Sequence, residues 1–431
     1  MALKKLDDRT YSVPTRLIYG ESLSQSWDYK FHVVPPMTTS STFRLESTQR
    51  GAQGFEAIAS VPAGHDPIYV YDRMGEPNND MLAKALALAE GGECAVTFAT
   101  GMAAVHAAIT SLLHERSEVI AHRTLYGCTY SLLTNWMPRF GIPTHFADLR
   151  DAGCIAPLVN ENTRVVYLES PVNPSLELVD IKAVADVVKA LNATRPKERQ
   201  IITIIDNTFC TPFAQRPITL GIDMVVHSLT KGISGFGIEM GGAVVTREEF
   251  FTPLILHRKD FGGTLAPSTA WSILVHGLPT LSLRIPKQQE NAYEVAKFLE
   301  SDARVDFVRF PGLSSFPQYD LARRQMVDFY GNFAPGFMIY FSLKGTPEQS
   351  RERGNKMMNF IADNAYAITL AVSLGQIRTL IEHPASMTHS AYSAAEQLAR
   401  GLDPGGIRLA VGIEHPQDII KDLERALEVC C

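Results

Sequence analysis

No stretch of the 431 residues approaches the ~18 uninterrupted apolar positions that a membrane-spanning helix requires. Positive charge is not in excess either. Against 46 Asp and Glu stand 40 Lys and Arg, a net charge of -6, which gives no reason to expect nucleic acid or an anionic membrane as partner. Cysteine is scarce: Cys94, Cys128, Cys154, Cys210, Cys430 and Cys431 form no C-x-x-C pair and are too few to staple so long a chain. Free thiols in a reducing compartment are therefore expected. The opening MALKKLDDRTYSVP has two lysines but no apolar segment behind them, so it does not read as a secretory signal. Internal repeats and low-complexity tracts are missing as well. What the absences leave is a soluble, cytoplasmic, globular protein, in keeping with 45% apolar and 20% charged residues.

The length exceeds one ordinary domain. Residues 1–75 read as an irregular arm, with Pro35-Pro36, Ser and Thr from Thr38 to Thr42, and a Gly/Ala-rich piece from Gly51 to Gly64. Such an arm has little core of its own and must lie on another surface. From about residue 80 the texture changes. DMLAKALALAEGG carries a helical apolar pattern with a glycine stop. Short apolar runs then alternate with helical stretches: Ala95–Phe98, Glu118–Ala121, Arg164–Leu168, Ile201–Ile205, Met224–Val226 and Ala243–Val245. That alternation predicts an α/β fold with a mostly parallel sheet covered on both faces, its last two strands forming an antiparallel pair. Residues 76–281 form the expected large domain. Residues 282–431, with a helix from Pro286 to Leu299, strands at Phe337–Phe341 and Ile407–Val411 and a last helix from Pro416 to Val429, form a smaller α/β domain.

Three stretches carry chemistry. In DMVVHSLTKGISG a lysine, Lys231, stands at the exit of an apolar run, beside the hydroxyls of Ser228 and Thr230 and among glycines that let another group approach the backbone. Sites in open α/β sheets lie at such strand ends. In TIIDNTFCTPF, Asp206 ends the neighbouring run, 25 residues before Lys231, about one βαβ step (231 − 206 = 25). An acid there needs a partner, either an arginine, a helix start or a protonated ring nitrogen. In TFATGMAAVHAAI the amides of Gly101 and Met102 open a helix and offer an anion site. The turn is neither G-x-G-x-x-G nor G-x-x-x-x-G-K-[ST], which argues against a dinucleotide or ATP. An amine, an acid and a phosphate cradle are the set that pyridoxal 5'-phosphate requires.

With these motifs the chain resembles the pyridoxal-phosphate-dependent Cys/Met-metabolism enzymes of the cystathionine γ-synthase type, over nearly its whole length. The resemblance implies fold-type I, with Lys231 as the Schiff-base lysine and Ser228 and Thr230 on the phosphate. ATGMAA places Gly101 and Met102 at the phosphate turn, and IIDNTF places Asp206 on the pyridinium nitrogen. LYGCTY sets Tyr126 against the ring, and ESPVNP brings Asn173 near its phenolic oxygen. YDRMGEP carries Tyr71 and Arg73, which in the family reach the phosphate of a neighbouring subunit. SLGQIRTLIEHPASMTHS and GIRLAVGIE place Ser373 and Arg408 at the substrate carboxylate. A homo-oligomer, a dimer of dimers, is the implied assembly. His383 and His389 lack a third ligand and read as structural, with no metal expected.

The chain departs from the family where many relatives carry a Gly-His-Gly-Asp-like run and this one has Gly235-Phe236-Gly237-Ile238-Glu239. It also carries insertions at Gln49–Asp66 and around Arg195–Gln200. Cys128, two residues after Tyr126 and expected near the substrate, and Lys259-Asp260 in RKDFGG resemble lyases that cleave methionine to methanethiol, 2-oxobutanoate and ammonia. Sister activities are O-acetylhomoserine sulfhydrylase, cystathionine γ-synthase and cystathionine γ-lyase. The alternative of another class, a cofactor-binding protein without turnover, is opposed by the intact Lys231, Asp206 and Tyr126.

Overall fold

The computed structural model describes residues 11–19, 32–58, 67–387 and 403–431. Two sheets organise it. The larger has seven strands: β1 (Cys94–Phe98), β2 (Glu118–His122), β3 (Thr144–Ala147), β4 (Thr163–Glu169), β5 (Ile202–Asp206), β6 (Met224–Ser228) and β7 (Gly242–Thr246). Their spatial order is β1-β7-β6-β5-β4-β2-β3. All neighbours from β6 to β3 run parallel, while β7 is antiparallel to both β1 and β6. The near-continuous apolar runs follow from burial on both faces. In β4, Val165 and Tyr167 pack on one side with Val105 and Ile109 of the helix Gly101–Thr110. Val166 and Leu168 pack on the other, with Val184 and Val188 of the helix Ile181–Asn192.

The second sheet has five strands, β8 (Val305–Arg309), β9 (Met338–Leu343), β10 (Ile368–Leu370), β11 (Thr379–Glu382) and β12 (Ile407–Ala410), in the order β10-β11-β12-β9-β8. The helices Leu281–Ser301, Pro347–Asn364 and Pro416–Cys430 close its core through residues such as Leu299, Ile361 and Leu423. The six runs read from the sequence all fall on strands of the large sheet, and the predicted antiparallel pair is β6 with β7.

Three expectations are corrected. The N-terminal arm is not irregular throughout: Val13–Tyr19 and Thr48–Ile58 are helices, and Leu17 is buried. The long helix begins at Leu281, not Pro286, because a proline inside forfeits one hydrogen bond without ending the helix. The last helix runs one residue further, to Cys430. Of the two insertions, Thr48–Ile58 takes in the start of the first and residues 59–66 lie outside the described residues. The second forms a short turn, Lys197–Arg199, pinned by Arg195, which donates to the Arg199 carbonyl at 2.7 Å and to the Asn160 carbonyl at 2.8 Å. His383 is structural: Nδ1 meets Ser386 Oγ at 2.7 Å and Nε2 meets the Pro404 carbonyl at 2.9 Å. His389 lies outside the described residues.

Candidate active site

Parallel strands end on a common rim, so β4, β5 and β6 deliver their last residues, Glu169, Asp206 and Ser228, side by side. Glu169 and Asp206 are register partners. The helix Gly101–Thr110 starts on the same rim, where Thr100 caps it by accepting the Ala103 amide at 3.0 Å. The amides of Gly101 and Met102 have no carbonyl within the helix to bond. Glycine at 101 is required by contact: a Cβ there would lie 2.8 Å from Ser228 Cβ. The helix start is thus pressed directly onto the end of β6.

A cleft of about 1120 Å³ opens over this rim and extends to the second sheet. Gly101, Met102, Tyr126, Cys128, Asn173, Asp206, Ser228, Thr230, Lys231, Ser373 and Arg408 all line it. Tyr71 and Arg73 do not. They stand on the outer surface, where the Arg73 guanidinium lies 5.5 Å from the Tyr71 ring centroid and donates to the Lys259 carbonyl.

Lys231 Nζ donates to Ser373 Oγ at 2.7 Å. Burial, and then the nearby Arg408 cation, lower the lysine's pKa. The loop that carries it is clamped from behind by Arg284, which donates to the carbonyls of Gly232 at 2.8 Å, Ile233 at 3.1 Å and Gly277 at 2.8 Å. Burial brings this arginine down to about 10. Gly235, at φ 75°, leaves room for it; a Cβ there would meet the guanidinium. Ser373 itself has φ 95°, and its carbonyl accepts from Arg408 Nη2 at 2.8 Å. Arg408 Nη1 donates to Asn173 Oδ1 at 3.1 Å. A single residue therefore joins the lysine of the large sheet to the arginine of the small one.

Two carboxylates missed in the sequence reading also line the cleft. Glu169 Oε1 accepts the Tyr126 amide at 2.7 Å and so sets where that ring stands. Burial and the charge of Asp206 push the Glu169 carboxyl well above the usual range. Asp206 is also raised by burial, but Thr208, His227 and Lys231 pull it back; the Thr208 amide donates to it at 2.9 Å. Two like charges on adjacent strands disfavour each other, so the rise is the stronger at Glu169, which has fewer groups opposing it. The second missed acid, Glu382, pairs with Arg408 at 3.1 Å. An acid at the end of the apolar run Leu380-Ile381 was the signal that could have found it. Tyr126 is pushed up to about 12 by partial burial and by the Cys128 thiol, 3.5 Å from its hydroxyl.

The site fits a phosphorylated aldehyde cofactor on its own geometry: a desolvated amine, a buried carboxylate at the end of the next strand, and the free amides of a helix start lying against the Ser228 side chain in one cleft. The comparisons agree. The model of the Cys/Met metabolism PLP-dependent enzymes matches residues 15–428. The chain belongs to that family. It is 38% identical over 428 residues to an L-methionine gamma-lyase of Porphyromonas gingivalis, covering 99% of both chains. With a cystathionine gamma-lyase of Dictyostelium discoideum it shares 33% over 422 residues, 97% of this chain and 98% of the relative. The crystal structure of a cystathionine gamma synthase from Xanthomonas oryzae superposes with a TM-score of 0.83 at 32% identity, covering 97% of this chain and 98% of the other. The enzyme therefore takes pyridoxal phosphate, and its fold is fold-type I.

The cradle yields a direct prediction. Gly101→Ala must push the helix start off Ser228, and overpacking of this kind costs about 1–3 kcal/mol. Cofactor affinity is expected to fall about tenfold or more, read by titrating the apo-enzyme with pyridoxal phosphate. Unchanged affinity would mean that the helix start does not hold the phosphate.

Proposed function

We propose that this enzyme is a carbon–sulfur lyase that converts methionine and water to methanethiol, 2-oxobutanoate and ammonia. The observation that carries the reading is the line Lys231–Ser373–Arg408 across one cleft, with Asp206 at its floor. Relatives named L-methionine gamma-lyase support the choice of substrate, as does Cys128 beside Tyr126.

When bound, the cofactor supplies an electron-withdrawing ring conjugated to the substrate's Cα. The amides of Gly101 and Met102 and the hydroxyls of Ser228 and Thr230 hold its phosphate. Asp206 keeps the proton on the ring nitrogen. Tyr126 lies against the ring. Arg408 takes the substrate's α-carboxylate, since a planar fork with an uncommitted Nε suits that group. Lys231 Nζ, with its pKa lowered, removes the Cα proton and moves a proton at Cβ. Tyr126 keeps its hydroxyl proton at neutral pH, which fits an acid for the departing sulfur.

The test is product analysis with methionine, cystathionine, cysteine and O-acetylhomoserine offered separately. Methanethiol and 2-oxobutanoate from methionine alone are expected. The likeness to a cystathionine gamma synthase structure favours a second reading, replacement instead of elimination. A thioether formed from O-acetylhomoserine and a thiol, with methionine inert, would establish that reading.

The working unit proposed is a symmetric dimer, itself paired into a tetramer, in a reducing cytoplasm that suits six unpaired thiols. Tyr71 and Arg73 face outward from their own cleft, which suits a reach to a neighbour's phosphate. Arg73→Ala and Lys231→Ala subunits are each expected to be inactive. Refolded together, about half the dimers are hybrids with one intact site, so roughly a quarter of wild-type activity should return. No recovery from a mixture shown by mass to contain hybrids would assign Arg73 to its own subunit's site.

A further inference from the structure

Arg408 and Glu382 are register partners on the antiparallel strands β12 and β11. Their side chains are only 6% and 2% exposed, and Nη2 lies 3.1 Å from Oε1. The other carboxylate oxygen, Oε2, is buried with no hydrogen-bond partner, and Arg408 Nε is likewise without one. A buried carboxylate that uses one oxygen on one cation is poorly compensated, because half of its accepting capacity meets nothing. It is tolerated while Arg408 balances its charge.

Among the described residues, the charged and titratable groups facing Glu382 are few. Arg408 comes from β12 and Lys231 from the loop after β6. Tyr340, the partner of Arg408 on β9, lies along the same face. Beyond the arginine stands Tyr126, and Asp206 lies on the cleft floor. His383, the next residue along the chain, is spent on Ser386 and Pro404. When a second carboxylate reaches Arg408, one guanidinium must serve two buried anions, and the other cation facing Glu382, Lys231, is itself disfavoured as a cation by burial and by Arg408. Burial already raises the Glu382 pKa, opposed first by Arg408 and then by Lys231; sharing the arginine removes part of that opposition.

We propose that Glu382 is the resident counter-ion of Arg408, which an incoming substrate carboxylate displaces, and that Glu382 takes a proton from solvent onto its free oxygen as this happens. The inference rests on the reading of Arg408 as the carboxylate site. The complex then holds one more proton than the free enzyme, so affinity for carboxylates falls as pH rises through the range where Glu382 is ionised in the free enzyme. The apo pair also keeps Arg408 oriented: the cation is held by Glu382, Asn173 and Ser373 before substrate arrives.

The experiment is calorimetric titration of the holoenzyme with 4-(methylthio)butanoate, which is methionine without its amine and cannot react with the cofactor. It is run at several pH values, in pairs of buffers with different ionisation enthalpies. Wild type is expected to take up about one proton per site, with affinity falling up to tenfold per pH unit. Glu382→Gln keeps the shape and removes the charge; it should take up none and bind equally across that range. Absence of proton uptake in the wild type overturns the proposal without any variant. Equal uptake in Glu382→Gln overturns it too, assigning the proton to another group. Arg408→Lys separates the two ideas. If it binds the acid as wild type does, Arg408 is not the carboxylate site and both readings fall. If it loses binding while Glu382→Gln still takes up the proton, only the counter-ion role falls.

Discussion

Lys231→Ala should abolish turnover and, with it, the visible absorption of the purified holoenzyme. The amine is the proposed covalent anchor, and it is also the group proposed to move the Cα proton. Losing a positioned general base alone costs about 10²–10⁴-fold, so activity at least about 10⁴-fold below wild type is expected when the anchor goes as well. Folding should survive, because Lys231 makes one side-chain hydrogen bond, to Ser373, while the loop around it is held by Arg284 through backbone carbonyls. The spectrum and a borohydride-reduction mass measurement check it. A retained cofactor–lysine bond that can be reduced in Lys231→Ala would place the anchor elsewhere.

Asp206→Asn is expected to reduce turnover at least about hundredfold, with a smaller effect on the fold. The substitution keeps size and removes the charge proposed to hold the ring proton. Removing one partner of a buried ion pair costs about 3–5 kcal/mol, so cofactor should also be lost more readily. The neighbouring acid sharpens the expectation. Burial, and then the charge of Asp206, raise the Glu169 pKa. With that charge gone, the Glu169 pKa falls while burial still holds it above the ordinary range, and the pH profile of cofactor absorbance should shift. Near-normal turnover in Asp206→Asn would remove the pyridinium role, and an unchanged pH profile would remove the coupling between the two acids.

Much of this arrangement was legible from residues alone. The strands of the large sheet announce themselves because burial on both faces demands unbroken apolar runs, and Lys231 and Asp206 stand out because charge at the end of such a run needs a reason. The strand β3 did not show: Thr144, His145, Phe146 and Ala147 form a half-buried edge with no apolar run. In the second sheet β10 and β11 are three and four residues long, too short for periodicity to speak. Glu169 and Glu382 were missed for a different reason. Each is defined by what stands across from it in register, Asp206 for one and Arg408 for the other. Register is set by strands distant in sequence, and no local pattern reports it.

Ser373 carries a cost that bears on how such an enzyme can change. A non-glycine residue at φ 95° spends about 1–3 kcal/mol of strain. Glycine would relieve it, since glycine adopts that backbone freely. The same change would delete the hydroxyl that receives Lys231. Selection for heat resistance and selection for turnover therefore pull in opposite directions at one codon. A lineage drifting towards greater thermal stability would gain there at the expense of the hydroxyl on which the proposed catalytic lysine rests.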